Sequence, residues 1–172
     1  MSDKKALLVI DMQNDYLWEA RKGMFTYDSK KLTENVNASI GKYRADGWDI
    51  IYIAQMFPNI ITNRLIIGFS IKGTEGAELY SGLDRVSDLY FEKNLPDTFS
   101  SKKFCKFVEE QGYKEMALCG LDECGCVGAT AKGASKRGIK TYMITESIGR
   151  RFPQQKINKM RDTLRALGVQ YI

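Results

Sequence analysis

A chain without a single histidine still carries the parts of a covalent catalyst. Cys126 follows the stretch Leu118-Cys119-Gly120-Leu121-Asp122-Glu123-Cys124-Gly125, in which an apolar run breaks at a glycine and gives way to small residues. That order reads as strand, tight turn and helix, with the cysteine where the helix begins. The unpaired N–H groups and the positive end of the helix macrodipole favour a thiolate there, so Cys126 is read as a nucleophile. Attack on an amide carbonyl also needs a base for the thiol proton, a cation to hold the anion, and donors for the oxyanion. Asp11, after the apolar run at residues 6–10 (ALLVI), has the right type for the base, and Lys93, after Leu89-Tyr90-Phe91, for the cation. The backbone N–H groups of Asp122 and Cys126 are the expected oxyanion donors. Each side chain also has a plainer reading: a loop carboxylate, a surface lysine, a small buried thiol. Their occurrence together at three strand ends is what favours chemistry. Cys124 and Cys126 admit a redox or metal reading as well, but residues two apart bridge only with strain, and a tetrahedral metal site needs further soft ligands.

Positioning such groups takes a scaffold, and the hydrophobic pattern supplies one. Short apolar strands are expected at residues 6–10, 48–54, 88–92, 113–119, 139–144 and 169–172. Amphipathic helices are expected at 30–43 (Leu32, Val36, Ile40 and Tyr43 inward, Asp28 or Ser29 as cap), 100–110, 125–137 and 154–167. Residues 55–82 hold no sustained period and read as an excursion with short helical pieces. Strands alternating with helices predict an α/β domain with a parallel sheet, whose ligand crevice lies beyond the strand carboxyl ends where the winding reverses. Asp11, Lys93 and Cys126 all fall at such ends.

At 172 residues the chain is expected to form one domain over residues 1–172, burying about 70% of its unfolded surface. A composition of 44% hydrophobic and 27% charged residues is that of an ordinary globular protein. A net charge of +5 with scattered basic residues argues for a solvated surface and against nucleic acid. No apolar run reaches the roughly 20 residues of a membrane span, and the first residues lack the apolar core of a signal peptide. The expected setting is cytoplasmic, with the four cysteines reduced.

The motifs resemble those of the isochorismatase-like cysteine hydrolases, the superfamily that includes nicotinamidases, carbamoylsarcosine amidase and streptothricin hydrolase. Val9-Ile10-Asp11-Met12-Gln13-Asn14-Asp15-Tyr16 is similar to the first family motif, apolar-apolar-Asp-x-Gln-x-Asp-aromatic. Lys93 with Phe99 and the following helix resembles the second. Gly120, Cys126-Val127 and Thr130-Ala131 match the third, Gly-x5-Cys-Val-x2-Thr-Ala. Gly73-Thr74-Glu75-Gly76-Ala77-Glu78 resembles a segment of the intervening loop. The resemblance implies a three-layer α/β/α fold with a six-stranded parallel sheet in order 3-2-1-4-5-6, an Asp11-Lys93-Cys126 triad, and a cis peptide between Leu121 and Asp122. It also shows departures. Nicotinamidases place metal-binding Asp-x-His and a later His where this chain has Gln55-Met56-Phe57 and Phe69, so no metal site and no cofactor are expected. Glu123 stands in place of the usual Thr, and Glu146 in place of an Asp after the fifth strand.

The expected activity is metal-independent hydrolysis of a C–N bond in a small amide, ureide or lactam through a thioester. Two alternatives stay open: vinyl-ether hydrolysis of the isochorismatase type, and a non-catalytic binding protein that keeps the fold, which the charge of Glu123 near the sulfur would favour. Leu121, Asp122, Tyr16, Trp18, Gln55, Phe57 and Phe152 are candidate pocket residues, suited to a flat or small uncharged substrate. The expected partners are that small molecule and further copies of the chain, in a dimer or tetramer, with no membrane and no nucleic acid.

Overall fold

The computed structural model describes residues 3–172. The apolar run near the start forms strand β1 (Lys4–Ile10), whose last five residues are buried, as expected for a strand covered on both faces. It pairs in parallel with β2 (Asp49–Gln55) on one side and β4 (Tyr113–Gly120) on the other. Outside these lie β3 (Tyr90–Lys93) on β2, then β5 (Lys140–Ile148) on β4 and β6 (Gln170–Tyr171) on β5. The sheet is six-stranded and parallel, in the order β3-β2-β1-β4-β5-β6.

Alternation along β1 divides the core between two layers. Leu7 and Val9 pack with Leu32, Val36 and Ile40 of helix α2 (Ser29–Ala45). Ala6, Leu8 and Ile10 face the other way, toward α4 (Lys102–Gln111), α5 (Cys126–Ser135) and α6 (Gln154–Ala166), through Phe104, Val127, Ala131 and Leu164. Asp28 caps α2, accepting from the Lys31 amide at 3.0 Å. At α4 the cap position falls on Ser101, but its hydroxyl makes no capping bond. Asp97 opens this region instead, accepting from the Phe99 amide at 2.9 Å to start a 3-10 turn at Thr98–Ser100. No helix among the described residues is long and apolar enough to cross a membrane.

The excursion contains a short helical piece of the kind expected there, α3 (Ile61–Ile66), but the polar stretch after β1 contains an unexpected single helical turn, α1 (Asn14–Leu17). Strand β5 continues four residues past its expected end to Ile148. Its pairing with β4 skips a step and resumes at Gly120 opposite Ile148, so the polar residues Thr145, Glu146 and Ser147 are carried as strand without an apolar signature.

The first motif and the loop motif prove to be partners. Gln13 donates through Nε2 to the carbonyls of Gln55 (2.9 Å) and Ala77 (2.7 Å) and accepts from the Gln55 amide (2.9 Å). Asn14 donates to the carbonyl of Glu75 at 2.8 Å, and Asp15 accepts from the Ser70 amide at 2.7 Å. These buried polar side chains fasten the excursion to the end of β1, satisfying backbone groups that a loop would otherwise leave unpaired.

Candidate active site

Winding reverses between β1 and β4, and the site forms beyond their carboxyl ends. Asp11, the first residue past β1, has φ 55°, a left-handed conformation uncommon for a residue with a Cβ. Such a backbone costs of order 1–3 kcal/mol and needs surrounding structure to hold it. Here the Asp11 amide donates to the Ile53 carbonyl and its own carbonyl accepts from Gln13, both at 2.9 Å. Lys93, the last residue of β3, donates through Nζ to Asp11 Oδ2 at 3.1 Å and to Gln55 Oε1 at 2.8 Å. The ammonium and the carboxylate are withdrawn from solvent, with side-chain exposures of 0% and 4%. Burial opposes the charge on Lys93, but the Asp11 carboxylate and then the Cys126 sulfur outweigh it, and the lysine titrates above its ordinary value. Asp11 Oδ1 is buried and has no hydrogen-bond partner among the described residues.

Cys126 opens α5. Gly120 makes the approach possible: at φ 106° its turn passes so close to β1 that a Cβ would collide with the Ile10 carbonyl oxygen. The peptide between Leu121 and Asp122 is cis. Neither the Asp122 nor the Cys126 amide makes a hydrogen bond among the described residues, so both donors are unspent. Thr130, the threonine of the third motif, ties α5 to the segment after Lys93, its hydroxyl lying 2.9 Å from that of Thr98.

Burial pushes the Cys126 thiol up, the Asp11 charge adds to the shift, and Lys93 opposes it without reversing it, so the shift runs opposite to the lowering expected from a helix N-terminus.

Asp11 and Cys126 line a cavity of about 410 Å3 together with Tyr16, Gln55, Phe57, Leu121 and Asp122. Five of the seven candidate pocket residues therefore meet around Asp11 and Cys126, but Trp18 and Phe152 do not. Trp18 lies in a separate groove with Asp15 and Arg64, and Phe152 stacks on the Arg151 guanidinium at 4.4 Å outside the cavity. Phe25, Tyr27, Phe69 and Arg151 complete the wall. Phe25 meets Tyr16 edge-on at 5.0 Å and Phe69 at 5.5 Å. Phe25 and Tyr27 sit in an aperiodic connection that gave no signal, and Arg151 read as a surface charge. A larger hollow of about 630 Å3 lies along β3 beside Tyr90 and Glu92, without Asp11 or Cys126 in its wall; the reacting groups favour the smaller one.

Glu123 is not a free charge beside the sulfur. Arg161 Nε donates to its Oε1 at 2.6 Å and Arg150 Nε to its Oε2 at 2.7 Å. Although burial opposes ionisation, these two guanidinium groups hold the Glu123 carboxyl below its ordinary value. The feature that favoured a binding protein is thereby neutralised. The residues at the expected metal positions do not fit a metal either. Phe57 and Phe69 offer no donor atoms and meet edge-on with ring centres 6.1 Å apart, and the Gln55 side-chain Oε1 is occupied by Lys93.

Comparison with known proteins agrees with this fold. The family model described as the isochorismatase domain matches residues 5–170. An uncharacterized isochorismatase family protein of Bacillus subtilis (strain 168), YddQ, is 26% identical over 143 residues, which cover 83% of this chain and 76% of that protein. Among solved structures, a pyrazinamidase of Pyrococcus horikoshii in complex with zinc superposes with a TM-score of 0.84 at 24% identity, covering 98% of either chain. An N-carbamoylsarcosine amidase from Thermoplasma acidophilum gives 0.80 at 22% identity, covering 98% of this chain and 95% of that one. At these identities the structural likeness is one of fold.

Proposed function

Because the chain belongs to the isochorismatase family, whose domain spans residues 5–170, we propose that it is a metal-independent cysteine hydrolase cleaving a C–N bond of a small amide, ureide or lactam. The observation that carries this reading is the Asp11 carboxylate: one oxygen is held by Lys93 and the other is unpartnered, in the same cavity wall as Cys126.

The substrate carbonyl sits against Cys126 with its oxygen toward the Asp122 and Cys126 amides. Asp11 takes the thiol proton as sulfur bonds to the carbonyl carbon, and the negative charge passes to the oxygen. When that charge collapses back, the C–N bond breaks and Asp11 returns the proton to the leaving nitrogen. Water then attacks the thioester, Asp11 accepting its proton, and the C–S bond breaks to restore the thiol and release the acid. Lys93 keeps its proton throughout and holds Asp11 in place. The aromatic wall takes the flat face of the substrate, and the free Gln55 Nε2 donor meets an acceptor on it. Neighbours named as amidases support the class of reaction, and the lack of donor atoms at Phe57 and Phe69 supports metal independence.

The test is ammonia release from a panel of small carboxamides and ureides. Turnover is expected from the wild type with chelator present, and Cys126→Ala is expected to lower it at least about a thousandfold with the fold intact. Equal turnover by Cys126→Ala overturns the assignment.

A further inference from the structure

Glu123 lies in the nucleophile's own turn, three residues before Cys126, and the reaction above gives it no step. We propose that Glu123 is a positioning residue, fixing the 121–126 turn so that its two unspent amides and the sulfur keep reactive geometry; the assignment rests on the hydrolase reading.

Its carboxylate is 1% exposed and fully occupied. Besides the two bonds already given, Arg161 donates through Nη2 to Oε2 at 3.1 Å. The two arginines come from different parts of the fold. Arg150 follows β5 and also donates to the Thr145 carbonyl, and Arg161 lies on α6 with its guanidinium 5.4 Å from the ring centre of Tyr171 on β6. One carboxylate thus links the turn to β5, α6 and β6. The backbone repeats the link: the Glu123 amide donates to the Gly149 carbonyl at 3.0 Å, and the Gly149 amide donates to the Gly120 carbonyl at 2.9 Å. Gly149 leaves no slack, because a Cβ there would collide with the Leu121 side chain. Asp122 is also held by an arginine, though through one oxygen only, its Oδ2 accepting from Arg151 Nε at 2.7 Å. Successive arginines therefore hold successive acids.

Apart from the Leu121 amide, which donates to the Ile10 carbonyl at 2.9 Å, the turn's remaining bonds are short-range, Gly125 and Val127 both donating to the Asp122 carbonyl. Local bonds of this kind set the curvature of a turn and leave its placement against the sheet to longer ties. A buried ion pair is a weak source of net stability. What it supplies here is direction, since planar guanidinium forks fix a carboxylate in angle as well as distance. Direction matters at this turn: oxyanion donors act only from the right place, and a misplacement of about 1 Å costs on the order of a hundredfold in rate.

The variant that tests this is Glu123→Gln, equal in shape but uncharged, assayed for amide turnover and for Cys126 alkylation by iodoacetamide. Turnover needs the oxyanion donors; alkylation needs only the sulfur with Asp11 and Lys93. The expected result is a fall in kcat of about tenfold to a hundredfold, with KM and the alkylation rate within about threefold of wild type. Arg161→Lys, which keeps the charge and loses the fork, is expected to fall between. Unchanged kcat in Glu123→Gln overturns the proposal, as does an equal loss of kcat and alkylation while the near-ultraviolet circular dichroism of the folded state is kept. If Glu123→Gln does not fold, Arg150→Lys and Arg161→Lys carry the test, and wild-type kcat in both overturns it. An inactive wild type, or an active Cys126→Ala, sinks the hydrolase reading and this inference with it; an active wild type beside a fully active Glu123→Gln sinks this inference alone.

Discussion

Asp11 and Glu123 are both buried carboxylates held by cations, and they differ in what is left over. Asp11 meets one ammonium through one oxygen, and its second oxygen has no partner. Glu123 meets two guanidinium groups through both oxygens. The first sits on a backbone at φ 55° and the second on an ordinary one. An acid that must accept and return a proton needs an open acceptor site. An acid that holds a turn in place needs every site filled. Burial and charge are common to both, so neither tells them apart; the open acceptor beside the Lys93 ammonium does.

Substitution at each carboxylate is the sharpest way to break the comparison. Asp11→Asn keeps an oxygen toward Lys93 but accepts no proton, and turnover is expected to fall by about a thousandfold, equivalent to about 4 kcal/mol in the barrier. Activity within tenfold of wild type would erase the distinction drawn here. Glu123→Ala, by contrast, leaves two guanidinium groups facing an empty site. Both retain some contact with water, so the expected loss is at the low end for a broken buried pair, about 3 kcal/mol. Calorimetry would register it as a fall in Tm of about 6–12 °C.

The two pairs should also fail at opposite ends of the pH scale. The Glu123 carboxyl is held below its ordinary value. Its contribution is therefore complete above the unfolded value, about 4.3, and is lost as pH falls through the lower native one. Lys93 is raised, so its contribution is complete below about 10.4 and is lost as pH rises through the higher native one. A Tm profile across that range should lose part of its acid slope in Glu123→Gln and part of its alkaline slope in Lys93→Met; both variants flattening the same limb would count against the assignment. The smallest effect is expected at Trp18, which lies outside the cavity: Trp18→Ala should leave kcat within about twofold, and a larger fall would place the ring at the substrate.

How much of this was legible from residues alone depended on range. The strands announced themselves as short apolar runs; Asp11 and Lys93 stood out because a polar residue directly after such a run falls at a strand's carboxyl end, and Cys126 because it begins the helix after the turn that follows the fourth run. Gln55, Phe57, Leu121 and Asp122 followed by the same logic. Trp18 failed because the single turn of α1 separates residues two apart, sending Tyr16 to the cavity and Trp18 to a different groove. Arg150, Arg151 and Arg161 gave no sign of their partners, since an arginine in a loop or on a helix face reads as solvated until the fold brings an acid to it. The upward shift at Cys126 was hidden for the same reason: the helix terminus is visible in sequence, whereas burial and the nearby Asp11 charge come from distant chain.

The fastening of the nucleophile's turn also has a consequence for the order in which the protein is made. Every reacting side chain has been synthesised by residue 126, but the guanidinium partners of Glu123 come later, at residues 150 and 161. During translation, therefore, a nascent polypeptide carries Cys126, Asp11 and Lys93 well before it carries the arginines that hold Glu123. The turn at residues 121–126 is fastened late, when α6 brings Arg161 to it.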